Sequence, residues 1–476
     1  MKILYAASEV APFMKTGGLA DVAGSLPKAL RNCGADVRVI MPLYEGISDF
    51  WRSQMTFCFH TYVDLSWRHQ YCGLFMLEKD GVTYYFIDNE YYFKRTPIYG
   101  FFDEAERFAF FSRAIVDLLP NLGWKPNVVS CNDWQTALVS VYMRQELGEF
   151  FRDIKTVFTI HNIEYQGMYA PDILDEVLGL PSELYDSGII RYENAINLMK
   201  GAIYTSDVLT TVSQSYANEL RNPYFGSGLH KVIEENSFKL RGILNGIDKD
   251  VYNPQTDEKI YCAFSADDMS GKAINKSELQ RELQFDADAS VPIIACVSRL
   301  VSHKGFDIVS EALDRLMQQD IQLVILGMGD YGFEQRFIDA ANVYRGKLAV
   351  RIEYSDWMAA KIYAGADMLL MPSRSEPCGL SQMIAMRYGT VPIVREVGGL
   401  RDSVKPYPNE DSNGFTFNEY SVDALLGTVG YAVSVYKDED KKLWESLRGR
   451  AISSDYGWER SAKEYMEMYR YIVDLN

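Results

Sequence analysis

A chain of 476 residues, 47% hydrophobic and 24% charged, has the balance of a folded globular protein with room for about two to four domains. A net charge of −17 argues against a broad nucleic-acid surface, which needs clustered cations against phosphate. Seven cysteines with no CxxC pair argue against a disulfide framework and a zinc site, and no apolar run is long enough for a membrane span.

The first apolar run, KILYAAS (2–8), predicts a buried strand; Ser8 and Glu9 cut it too short for a signal peptide. The expectation is a soluble, cytoplasmic protein with no membrane and no nucleic-acid partner. MKTGGLADVAGSLPKAL (14–30) follows. Gly17 and Gly18 permit a tight turn and close approach to a ligand, Asp21 sits near the start of the next helix, and Lys15 is the mobile cation there. Such a loop is as often structural as phosphate-binding, and it is neither a Walker loop nor GxGxxG. DVRVIMP (36–42) and TYYFID (83–88) predict further strands, AERFAFFSRAIVDLLPNL (105–122) a helix, and VVSCN (128–132) another strand.

In SCNDWQT (130–136), Asp133 and Trp134 either bond and stack on a sugar or form a helix cap with a packed ring. TVFTIHN (156–162) predicts a strand ending at His161. A core or supporting histidine is the plain reading, but Asn162, Tyr165, Gln166 and Gly167 make the strand end polar, as a ligand contact requires. Turn residues in KLRGILNGIDKDVYNP (239–254), Asn245 and Gly246 among them, predict a domain break, with domains at 1–244 and 245–454.

Beyond the break, PIIACVS (292–298), QLVILG (322–327), ADMLLMP (366–372) and VPIVRE (391–396) predict strands, with a helix at DIVSEALDRLMQQ (307–319). Arg299 and Lys304, five residues apart on one strand-to-helix loop, are either solvated charge or a pair that neutralises a diphosphate. Tyr354 in IEYSDW is a possible stacking platform. In RSEPCGLSQMIAMRYGTVPIV (374–394), Glu376 and the turn through Cys378 and Gly379 precede an amphipathic helix. That places an acid and backbone N–H groups at the carboxyl end of a sheet, unless Glu376 merely caps the turn. The alternation throughout predicts an α/β protein with two doubly wound parallel sheets.

Taken together, KTGGLADV, NDWQTAL, TIHNIEYQG, TVSQSYANE, GILNGID, NKSELQ, VSRLVSHKGFD, PSRSEPCGLSQMIAMRYGT and VGGLRDSV make the chain resemble bacterial and plant-type glycogen (starch) synthases of glycosyltransferase family 5. The pieces run in the family's order over nearly the whole chain. Asn132 stands where the family often has His, Ser375 where it usually has Phe, and His303 where it has Gln; residues 89–102 match loosely. The resemblance implies a GT-B architecture: two Rossmann-like domains facing a central cleft, and a C-terminal helix (455–476) crossing back to the first. It implies retaining transfer of glucose from ADP-glucose to the non-reducing end of an α-1,4-glucan, with no cofactor and no metal. Arg299, Lys304 and Lys15 would stabilise the leaving diphosphate, with backbone N–H groups around Gly379, Leu380 and Ser381. Glu376 would orient the glucose, His161, Asn162 and Asn245 would line it, and Cys378 would pack nearby. Asp133, Trp134 and Tyr165 would serve the sugar and acceptor side, and Tyr354 the adenine. Rival readings are a UDP-glucose-preferring synthase, a pyridoxal-phosphate-dependent phosphorylase and a non-catalytic glucan-binding homologue.

Overall fold

The computed structural model describes residues 1–146 and 148–474; the last two residues of the expected segment 455–476 lie outside them. The chain divides into two compact units, Met1–Gly246 with the final helix Trp458–Asp474, and Ile247–Gly457. The boundaries therefore fall two and three residues later than the sequence pattern placed them, and Asn245 belongs to the first unit.

The first unit contains β1 (Lys2–Ala6), β2 (Asp36–Pro42), β3 (Thr56–Leu65), β4 (Arg68–Lys79), β5 (Val82–Asp88), β6 (Val128–Asn132) and β7 (Lys155–Ile160). Three short strands, β8 (Met168–Tyr169), β9 (Arg191–Tyr192) and β10 (Ala195–Asn197), make a small sheet of their own, and β11 (Val208–Thr211) and β12 (Leu240–Gly242) follow. The main sheet has the order β12-β11-β7-β6-β1-β2-β5-β4-β3. It is parallel from β12 to β5, and the long β3–β4 hairpin extends it antiparallel.

β1 and β6 are buried on both faces because helices cover both sides of a parallel sheet, which is why they read as unbroken apolar runs. The hairpin, exposed along one face of β3, alternates instead. The final helix buries Trp458, Ser461, Ala462, Tyr465, Met466, Tyr469 and Ile472, a stripe at helical spacing. It packs on the helix Gly18–Asn32, and the Tyr469 hydroxyl lies 3.3 Å from Ser130 Oγ of β6. Burying each large apolar side chain of that stripe contributes on the order of 1.5–3 kcal/mol before conformational entropy is subtracted.

The second unit contains β13 (Ile293–Val297), β14 (Gln322–Leu326), β15 (Leu348–Arg351), β16 (Met368–Met371), β17 (Val391–Arg395) and β18 (Phe415–Phe417), all parallel in the order β15-β14-β13-β16-β17-β18. In both sheets the chain winds outward from a central strand, first one way and then the other. The reversal falls between β1 and β6 in the first unit and between β13 and β16 in the second. Loops leaving the carboxyl ends of two such strands diverge and open a crevice, the usual ligand position of a doubly wound sheet.

Candidate active site

In the second unit the loops after β13 and β16 bring three of the expected residues to one crevice. Lys304, on the short turn Ser302–Lys304, donates to both Glu376 carboxylate oxygens at 2.8 and 2.6 Å, and Ser373 Oγ donates to Glu376 Oε2 at 3.1 Å. Glu376 is buried, so its charge requires that partner. The contact exists because Gly305 has φ +86°, where a side chain would strike the Pro372 carbonyl at 2.2 Å. Arg299 is exposed and has no ion pair among the described residues. Its guanidinium is available at the end of β13.

The Glu376 turn is braced from behind by a segment to which the sequence reading assigned no role. Gly399 N–H donates to the Glu376 carbonyl at 3.1 Å, and a Cβ on Gly398, at φ +44°, would lie 2.0 Å from that oxygen. The signal was present as two adjacent glycines in VGGLRDSV. Gln382 Nε2 donates to the carbonyls of Cys378 and Gly379 at 3.1 and 2.8 Å, which fixes the turn. Cys378 is buried, Leu380 precedes the seven-residue helix Ser381–Arg387, and Tyr354 is 66% exposed after β15.

The first unit's crevice lies at the ends of β1, β6 and β7. Lys15 pairs with Asp21 at 2.8 Å on the loop and first turn that open the helix Gly18–Asn32. The tight-turn reading of Gly17 needs correction. Its φ of −158° is extended, and an added Cβ would meet only Glu9 Oε1, at 3.8 Å. Glu9 is the residue that composition and spacing missed. Buried beyond β1, it accepts from Thr16 N and Oγ1 at 2.5 and 2.8 Å, and burial raises its pKa.

Asp133 stands at φ 56° and ψ 179°, a conformation that costs a residue with a side chain on the order of 1–3 kcal/mol. It makes no side-chain cap bond. Its Oδ1 accepts from the N–H groups of His161 and Asn162 at 2.8 and 3.4 Å. Burial pushes its pKa up to about 7 against those bonds, with the Glu9 charge adding to the rise. His161 is pushed down to about 3 by burial, and its Nε2 lies 2.8 Å from Asn132 Oδ1.

Trp134 is a second correction. It is only 7% exposed, edge-on to Phe108 at 5.2 Å and backed by Gly167, so it is a core ring and not a sugar platform. Tyr165, by contrast, is exposed. Asn245, assigned to the donor-side domain, is buried in the first unit beyond β12, and its Oδ1 has no partner among the described residues.

Two doubly wound parallel sheets, each with charged loops at its switch point, define a GT-B glycosyltransferase. The family profile for the starch synthase catalytic domain matches residues 2–235, and that for glycosyl transferases group 1 matches residues 279–443. The chain is 47% identical to the glycogen synthase of Clostridium beijerinckii over 99% of both chains. It is 44% identical to that of Geobacillus stearothermophilus over 99% of this chain and 98% of the other. The catalytic domain of starch synthase IV from Arabidopsis thaliana, solved with ADP and acarbose, superposes with a TM-score of 0.93 at 33% identity over 99% of both chains. The sucrose-phosphate synthase of Thermosynechococcus elongatus, at 17% identity and a TM-score of 0.63, shares the fold. The chain belongs to the bacterial and plant glycogen (starch) synthase family, glycosyltransferase family 5.

Proposed function

We propose that the protein is a glycogen synthase that transfers glucose from ADP-glucose to the non-reducing end of an α-1,4-glucan, with retention, and releases ADP. The observation that carries this reading is the second unit's crevice: the Lys304–Glu376 pair beside the unpaired Arg299, in a chain similar to glycogen synthases from end to end.

Breaking the sugar–phosphate bond puts negative charge on the diphosphate and positive charge on the anomeric carbon. Arg299 and Lys304 are assigned to the diphosphate, with Lys15 as a further cation, because positive groups at the leaving group offset its developing charge. Backbone N–H groups of Gly379, Leu380 and Ser381 assist. Glu376, held by Lys304, orients the glucose through its hydroxyls. His161, Asn162 and Asn245 line the sugar, Gly17 belongs to the loop that carries Lys15 and Gly18 and Asp21 to the first turn of the helix after it, and Asp133 and Tyr165 serve the acceptor side. Tyr354 stacks on the adenine, its exposed ring supporting that role.

No side chain is assigned as a covalent nucleophile. The acceptor attacks from the face the diphosphate leaves, and the leaving phosphate takes its proton. These cations do the work a divalent ion would otherwise do. Among the described residues no group of three or more His, Cys, Asp or Glu could hold a metal, and no helix is long and apolar enough to cross a membrane. Seven free thiols favour a cytoplasmic enzyme.

The test is labelled-glucose incorporation into glycogen from ADP-glucose and from UDP-glucose, compared by kcat/KM. Transfer from neither donor would overturn the function, and a higher kcat/KM with UDP-glucose would overturn the choice of base.

A further inference from the structure

Asn132 ends β6 and is fully buried. Its Nδ2 faces the Ala6 carbonyl at 2.9 Å and the Ser130 carbonyl at 3.5 Å. Carbonyl oxygens only accept, so the atom facing them must be the amide nitrogen, and the orientation of the amide follows. Oδ1 therefore points the other way, where it meets the Tyr5 hydroxyl at 2.9 Å and His161 Nε2 at 2.8 Å. An amide oxygen cannot donate. Both neighbours must donate to it, and the proton of the imidazole must sit on Nε2. Burial keeps the ring neutral, with a pKa near 3. The other nitrogen, Nδ1, then carries a lone pair, and no described residue bonds to it.

We propose that Asn132 is a positioning residue: wired between Tyr5 and the Ala6 carbonyl, it holds His161 as the Nε2–H tautomer and presents Nδ1 as a hydrogen-bond acceptor for one hydroxyl of the transferred glucose. The tautomer assignment stands on the hydrogen-bond geometry alone; the sugar contact rests on the glucosyl transfer proposed above. A fixed acceptor selects a group that donates. A position where the ring was free to turn, or to move its proton, would accept a donor or an acceptor alike and lose that selection. Histidine at residue 132 would carry a tautomer of its own, whereas an amide anchored on a carbonyl cannot change roles.

The experiment has two arms on the intact enzyme. The first is 15N NMR of protein labelled at histidine, with His161 assigned by the signal lost in His161→Gln. The expected spectrum shows one protonated nitrogen at Nε2 and one bare nitrogen at Nδ1 from pH 5 to 9; a proton on Nδ1 overturns the proposal, and needs no variant to be seen. The second arm measures kcat/KM with donor sugars in which single hydroxyls are replaced by fluorine, which cannot donate. The wild type should lose roughly ten- to hundredfold at one position, the scale of leaving a buried polar group unpaired. Asn132→Leu, similar in size without an acceptor, should lose activity with the hydroxyl donor, discriminate less at that position, and show mixed tautomers. Asn132→Asp can donate to the Ala6 carbonyl and keep an oxygen toward Nε2 only as the neutral acid, so at acid pH, where that form is populated, it should restore the Nε2–H signal and much of the rate. A folded Asn132→Leu with wild-type rate and spectrum overturns the proposal, as do equal losses in both variants with no change of tautomer. If all fluorinated donors react as glucose does, the sugar contact falls. If no glucose is transferred at all, the proposed function falls, and the NMR arm still decides the tautomer.

Discussion

The two switch points solve one problem in opposite ways. Each sheet places a carboxylate beyond a central strand, the half-buried Asp133 after β6 and the buried Glu376 after β16. Glu376 has a cation on both oxygens, from Lys304. Asp133 has only neutral donors, the N–H groups of His161 and Asn162, and Glu9 close by adds a second acid. A carboxyl held by dipoles beside another acid is driven toward its neutral form. The contrast distinguishes the two crevices. In the second unit the acid is compensated by a bonded cation, with the exposed Arg299 on the same loop as Lys304. In the first unit the acid is held by backbone dipoles with no cation bonded to it.

The largest effects should come from breaking the compensated side. Lys304→Ala leaves Glu376 buried without its cation; kcat should fall roughly a hundredfold or more, and stability by about 3–5 kcal/mol. Arg299→Ala should lower kcat on the same scale with little change in melting temperature, since it has no partner to strand. Adding Glu376→Gln to Lys304→Ala should return much of the stability and none of the rate. Initial rates and thermal melts separate these outcomes. Wild-type kcat in either folded single variant would remove the diphosphate assignment.

A sharper test of the neutral side is Asp133→Asn. The unfolded carboxyl ionises near 3.8 and the folded one near 7. The stability it contributes is therefore present below about pH 4 and lost as pH rises through about 7. Asparagine has no charge to bury, so the variant should melt a few degrees above wild type at pH 8, by less at pH 5, and close to it near pH 4. A gain confined to acid pH would contradict the raised pKa.

Smaller still is Cys378→Ala. The thiol lies in the Glu376 turn, but Gln382 and the glycine pair hold that turn through backbone groups. The variant should keep activity within a few-fold of wild type; complete inactivity in a folded variant that still binds ADP would give the sulfur a chemical role. No effect at all is expected of exhaustive EDTA treatment. Activity lost to it and restored by Mg²⁺ or Mn²⁺ would show that the cations of the compensated crevice are not sufficient.

Much of this was legible in the sequence, for a physical reason. Strands buried on both faces must be apolar throughout, so β1, β2, β5, β6, β7, β13, β14, β16 and β17 stood out as short runs. The loops after β1, β6, β7, β13 and β16 carried the charged, polar and glycine-bearing motifs. Strands with an exposed face did not stand out: the β3–β4 hairpin, with its mixed Tyr, His and Asp pattern, was not anticipated, nor was the edge strand β15.

What only the tertiary structure decided is which groups meet. Arg299 and Lys304 looked equivalent five residues apart, yet one stands unpaired and the other is bound to an acid 72 residues on. Trp134 and Tyr165 were both expected on the sugar and acceptor side, and packing buried one ring and exposed the other. Asn132 looked like a departure from a family pattern; its meaning required the Ala6 carbonyl, 126 residues away, to turn its amide. Periodicity is written locally, because each residue's burial follows from its own element. Charge pairing and tautomer are contacts between elements, and those exist only once the chain has folded.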